Sequence, residues 1–340
     1  MKLGNRHEAI GNSKKARIVG LFACTVLLAL CFSVQAQQPK KIPRIGYLGD
    51  GSAGSRGPIT LEPFREGLRE LGYVEGQNIL IEVRWTDSKS ERLPELVGEL
   101  IGLKVDVIVT HGLPAARAAK IATTDIPIVV ATAADFVGNG LVTSLAHPGG
   151  NVTGTSDQNT ELSGKQVQLL KELLPGLKRV AILENPMNPA AVRTSEETKK
   201  AARDLGLQVK PLPVRSPDEI AEALEMAAKG RADAVIVVHD SWLIEHRVQI
   251  AQLALKKRLP TLSAALLAEA GGLMTYGANS EALFKHAAVF VDKILKGRKP
   301  ADLPVEQPTK FELVINLKTA KQIGLTIPPS VLYRADKIIK

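Results

Sequence analysis

Apolar positions along this chain fall into two kinds of run. Short β-branched stretches occur at Arg44 to Gly49, Ile79 to Trp85, Val105 to Thr110 and Ile126 to Ala131. Between them lie longer stretches in which apolar residues return at helical spacing, as at Phe64, Leu68 and Leu71. Strand-length runs alternating with helix-length patterns predict βαβ units and a parallel sheet. The same series then recurs. Lys178 to Glu184, Leu207 to Val214, Asp233 to His239 and Leu259 to Leu262 read as strands, and Leu162, Leu169, Leu170 and Leu173 share one helical face. Gly72 and Gly206 stand where a helix hands over to a strand in each half, the position that favours a left-handed residue. Asn188-Pro189 and Ser216-Pro217-Asp218-Glu219 read as helix starts, so the acidic residues of the second are explained as a capping box.

The repeat predicts an α/β fold of two doubly wound parallel-sheet lobes joined by a three-crossing hinge. Ala146 to Thr155 reads as the first crossing, Gly271 to Gly277 as the second and Pro308 to Ile315 as the third, with a helix from Ser280 to Lys296 returning to the first lobe. The expected division is residues 37–154 with 277–308 in the amino-terminal lobe and 155–276 with 309–340 in the carboxyl-terminal lobe.

Residues 1–36 read as an export signal rather than as part of the fold. Lys2, Arg6, Lys14, Lys15 and Arg17 precede an apolar run from Ile18 to Phe32, and Val34-Gln35-Ala36 offers small side chains for cleavage. The run is short for a membrane anchor. Cys24 and Cys31 both lie in this segment, so the expected mature chain has no thiol chemistry. Its removal takes away five basic residues and Glu8, which lowers the formal charge from +9 to +5. The remaining basic residues are interspersed with acidic ones, and aromatics make up only 4% of the chain, so nucleic acid is discounted as a partner.

In open α/β sheets, ligands sit beyond the carboxyl ends of the strands. That rule selects Asp50 in the glycine- and serine-rich loop after the first strand, Thr110, His111 and Gly112 after the third, and Thr132, Asp135 and Phe136 after the fourth. In the second half it selects Asn185, Asp240 and Trp242, and Tyr276 lies in the second crossing. The amides around Gly112, ahead of Pro114, read as an anion seat. Asp135 or Asp240 would then face an ammonium, and Phe136, Trp242 or Tyr276 a ligand side chain. Trp242 and Tyr276 either stack on a ligand ring or pack between the lobes. His111 and His239 occupy equivalent strand ends and read as polar cleft residues. The histidine spacings match no metal motif, and neither a nucleophile elbow nor a P-loop is present. No cofactor is expected.

Four stretches carry a family resemblance: Phe64 to Ile79, Leu145 to Gly154, Glu269 to Gly277, and Gln307 to Ala320. In this order they resemble the ABC transporter substrate-binding family related to tryptophan/tyrosine uptake receptors, over essentially the whole mature chain. The resemblance implies a type I periplasmic-binding-protein fold and an exported, monomeric receptor that serves a membrane permease and its ATPase. The implied ligand is a small zwitterion, an amino acid with an apolar or aromatic side chain. The chain departs from the family pattern at Phe136, where proline is frequent, and at His111, where a small residue is common. An exported α/β enzyme working in the same cleft, or a ligand-sensing subunit for a signalling receptor, are the rival functions.

Overall fold

A computed structural model describes residues 41–340 of the protein. The export signal expected at residues 1–36 and both cysteines lie outside the described residues. From Pro43 onward the chain forms one unit containing two sheets.

The first sheet is built from β1 (Arg44–Gly49), β2 (Leu80–Trp85), β3 (Val107–Thr110), β4 (Ile128–Ala133) and β5 (Val152–Ser156), in the order β2-β1-β3-β4-β5 and parallel throughout. Helix α1 (Ala53–Glu70) follows β1, α2 (Leu93–Gly102) follows β2, and α3 (Leu113–Ala122) follows β3. The strands are nearly continuous apolar runs because both faces are covered. On one face Tyr47, Val109 and Val129 pack with Phe64 and Leu68 of α1. On the other, Leu48, Ile108 and Val130 pack with Leu96, Leu100 and Ala116.

The second sheet follows helix α4 (Asn159–Leu173). Its elements in chain order are β6 (Arg179–Glu184), α5 (Pro189–Asp204), β7 (Gln208–Pro213), α6 (Pro217–Lys229), β8 (Ala234–Val237), α7 (Ser241–Glu245), α8 (Arg247–Lys256), β9 (Thr261–Ser263) and β10 (Met274–Ala278). Helix α9 (Ser280–Leu295) leaves it, and β11 (Phe311–Asn316), α10 (Leu317–Ile323), α11 (Pro329–Leu332) and β12 (Lys337–Ile339) complete it. The strand order is β12-β11-β10-β9-β8-β6-β7, with β10 and β11 the antiparallel pair. Asn188 and Ser216 cap α5 and α6 as the sequence predicts, each side chain accepting a backbone N–H of its helix.

The connecting stretches are the main departure from the sequence reading. The three segments read as crossings end in strands, and the chain changes sheet beyond β5, beyond β10 and ahead of β11. An extended peptide entering or leaving a lobe runs beside a sheet edge, and pairing there satisfies its N–H and C=O groups. Val152-Thr153-Gly154-Thr155-Ser156 carries too few large apolar side chains to look like a strand, yet all five residues are buried. Helix α9 packs along α1 and over β4, against the first sheet, although it follows a strand of the second. This placement turns the carboxyl ends of the parallel strands of both sheets toward one interior space.

Candidate functional site

A cavity of about 50 Å³ lies between those strand ends. Arg56 and Thr60 reach it from α1, His111 and Gly112 from the end of β3, Thr132 from β4 and Asp157 from the connection beyond β5. The second sheet supplies Asn188, Thr194, His239, Asp240 and Ser241, and α9 supplies Phe284. Gly112 has φ +74°, and a Cβ there would stand 3.0 Å from Ser241 Oγ, so a side chain would hold the two loops apart.

Arg56 dominates the electrostatics. It is 3% exposed, and neither Nε nor Nη1 donates to an acceptor among the described residues. Burial lowers its pKa, while the carboxylate of Asp50 acts in the opposite sense. A guanidinium stays charged even so, and a buried cation without acceptors is costly unless something else supplies them. Asp50 is itself committed. Its Oδ1 accepts from Thr86 Oγ1 and from the Gly51 amide, both at 3.0 Å, and burial pushes its pKa up.

Two carboxylates line the cavity, Asp157 from the connection beyond β5 and Asp240 from the second sheet. Asp157 accepts from Thr132 Oγ1 at 3.0 Å through Oδ2 and from the Asn159 amide at 3.1 Å through Oδ1. His239 Nε2 lies 3.9 Å from Asp157 Oδ2. Asp240 caps α7 through the Leu243 amide and also accepts from Asn185 and Asn188, so its geometry is fixed on three sides. Burial lowers the pKa of His111 well below its usual value, helped by Arg56 and His239; burial likewise lowers that of His239, against the pull of Asp157.

The structure gathers His111, Gly112, Thr132 and Asp240 around the cavity, with Asp50 behind His111 and Asn185 behind Asp240. Thr110 spends its hydroxyl on the Leu48 carbonyl inside the sheet. The remaining expectations need correction. The Gly112 amide donates to the Thr132 carbonyl at 2.8 Å and is no free anion seat. Asp135 turns outward, accepting from the Gly138 amide and pairing with Arg193. Phe136 is fully buried in the core beneath β4, because the turn at Asp135 directs the next side chain inward. Trp242 lies on His246 with ring centroids 4.4 Å apart, and Tyr276 lies on Phe311. Neither ring lines the cavity, and both pack at the edge of the second lobe's apolar clusters.

Sequence reasoning passed over Arg56 and Asp157. A usable signal existed for Arg56, whose i±3 and i±4 neighbours Ser52, Ala53, Ile59 and Thr60 include no carboxylate to hold it. Among the described residues no group of three or more His, Cys, Asp or Glu is placed to hold a metal ion.

Two parallel-dominated α/β sheets, three connections and a polar cavity between opposed strand ends define the type I periplasmic-binding-protein fold. The chain belongs to the family of ABC transporter substrate binding proteins, whose model matches residues 59–339. A tyrosine-binding protein of Clostridioides difficile (strain R20291) is 27% identical over 263 residues, 77% of this chain and 75% of that protein. An ABC domain from Streptococcus pneumonia, solved in complex with L-Trp, superimposes with TM-score 0.79 at 31% identity, covering 87% of this chain and all of that one. A conserved domain protein from Vibrio cholerae superimposes with TM-score 0.82 at 28% identity, covering 88% of this chain and all of that one. Among the described residues no helix is long and apolar enough to cross a membrane.

Proposed function

We propose that this protein is the exported receptor of an ABC importer and that it encloses a small amino-acid-like zwitterion between its lobes. The observation that carries the reading is the buried guanidinium of Arg56, whose Nε and Nη1 have no acceptor among the described residues. A ligand carboxylate supplies the acceptors that Arg56 lacks, and a planar guanidinium matches two carboxylate oxygens at once. The ligand ammonium faces Asp157 and Asp240, the two carboxylates that line the same cavity. The tyrosine and tryptophan bound by relatives support the amino-acid class. The rings of Phe136, Trp242 and Tyr276 are turned elsewhere, which leaves Phe284 as the aromatic ring at the cavity among the described residues.

A cavity of about 50 Å³ is too small for such a ligand to enter, since ligand sites span roughly 300 Å³ and upward. The lobes must part to load and close again, and the three connections permit that rotation. The closed form is what a monomeric receptor presents to its permease, with the ATPase on the far side of the membrane, after the export signal has delivered the chain across.

Thermal unfolding with a panel of L-amino acids, sugars and simple carboxylic acids tests the reading. A ligand that binds only the folded form adds about 2.7 kcal/mol at a hundredfold excess over its dissociation constant. Selective stabilisation by particular amino acids is the expected outcome. Stabilisation by a sugar and by no amino acid contradicts it.

A further inference from the structure

Beyond the anchor for the ligand's head, the first lobe contributes a second unpaired donor. His111 is 1% exposed and lines the cavity. The backbone amide of Asp50 donates to its Nε2 at 3.3 Å, so that nitrogen carries the lone pair. A neutral imidazole has one N–H, which this contact assigns to Nδ1. No acceptor for Nδ1–H occurs among the described residues, and the ring is fixed by an edge-on contact with Phe284 at 5.3 Å between centroids. Phe284 is the one Phe, Tyr or Trp ring lining the cavity among the described residues, and His111 stands edge-on to it. A ligand therefore meets two separate donors on this wall, Arg56 and His111.

We infer that His111 is a specificity-determining donor that selects an amino acid with an oxygen-bearing side chain over one with an apolar or aromatic side chain. This rests on the zwitterion reading above, in which Arg56 takes the carboxylate and Asp157 and Asp240 take the ammonium. The side chain then has to supply the acceptor for Nδ1–H. An apolar side chain leaves that buried donor unmatched, and a site built to hydrogen-bond a ligand group rejects the analogue that lacks it.

Calorimetric titration with near-isosteric pairs, L-threonine with L-valine, L-asparagine with L-leucine and L-glutamine with L-methionine, tests the inference. The oxygen-bearing member of at least one pair is expected to bind about tenfold or more tightly than its apolar partner. In His111→Leu that ratio should fall to about twofold or less. In His111→Asn, whose amide nitrogen falls near the position of Nδ1, it should recover. The wild-type comparison stands even if a variant fails to fold. Apolar members, or L-tryptophan and L-phenylalanine, binding as tightly as the oxygen-bearing ones overturn the inference while leaving the zwitterion reading intact. So does an equal loss for both members of a pair in His111→Leu, which would make His111 a second contact to the carboxylate. Failure of every amino acid to bind removes both.

Discussion

Arg193, on α5 of the second lobe, pairs with the carboxylate of Asp135, in the turn just beyond β4 of the first. The contact lies outside the cavity lining, and both side chains keep partial access to solvent. Ser52 Oγ donates to Glu245 Oε1 at 2.8 Å and Arg247 Nη1 to Ser55 Oγ at 3.3 Å across another part of the same boundary. These links join the lobes through residues that do not line the cavity.

Asp135→Asn should leave ligand binding nearly unchanged. The amide still accepts from Gly138, so the turn survives, and an exposed ion pair is worth at most about 1 kcal/mol. That corresponds to about fivefold in affinity at the most. Small-angle scattering of the unliganded variant should show a larger radius of gyration than the parent. Binding weakened by much more than tenfold would return Asp135 to the ligand site.

Arg56→Met should raise the melting temperature of the unliganded protein while weakening binding. Methionine fills most of the volume without a charge, and removing unmatched buried donors relieves about 1–3 kcal/mol. Asp50 keeps Thr86 and Gly51 as donors and Glu245 Oε1 keeps Ser52, while Glu245 Oε2 has no hydrogen-bond partner among the described residues in either case. A lower melting temperature would make Arg56 a structural counter-charge to Asp50 and Glu245.

Stability should decline as pH falls below about 6.5, the ordinary histidine value. His111 and His239 have lowered pKa values in the folded protein, so between those values and 6.5 the unfolded chain binds more protons. Arg56 opposes protonation of both, whereas Asp157 and Asp240 favour it at His239. Urea unfolding at about pH 5 and about pH 7.5 reads the slope, and His111→Asn should make it shallower. A flat or inverted dependence would mean that the imidazoles are charged in the fold.

Two glycine replacements should move stability in opposite directions. Gly67 lies where α1 meets α9, and a Cβ there would come within 2.3 Å of the Lys285 carbonyl oxygen. Gly67→Ala should cost about 1–3 kcal/mol by overpacking. Gly98, in α2, has nothing within 4 Å of an added Cβ, so Gly98→Ala should gain about 0.5–1 kcal/mol from helix propensity. Denaturant midpoints of the two variants check the contrast. Equal effects would indicate that α1 and α9 are not tightly apposed.

The strands and helices of each lobe were legible because burial on both faces leaves an unambiguous apolar run, as in Val107-Ile108-Val109 and Ala234-Val235-Ile236-Val237. The connecting strands were not, since Gly154 and Thr155 are buried by pairing rather than by side-chain packing. His111, Thr132 and Asp240, selected by their place at strand ends, line the cavity. The same rule failed at Phe136, because one residue with φ +43° at Asp135 redirects the chain and no pattern in the sequence marks that turn. Arg56 was missed for a different reason. Its helix offers it no carboxylate at i±3 or i±4, a signal the sequence does carry, but its burial beside the cavity is set by the fold.

The measurement that tests the account most directly compares an amino acid with its carboxyl amide in two proteins. The amino acid giving the largest thermal shift and its amide would be titrated calorimetrically into wild type and Arg56→Met. If the guanidinium holds the carboxylate, wild type should lose about 1.5–3 kcal/mol, roughly tenfold to more than a hundredfold in affinity, when the carboxylate is replaced. Arg56→Met should bind both compounds weakly and nearly alike. An equal loss on amidation in both proteins would contradict the account and place the carboxylate elsewhere in the cavity.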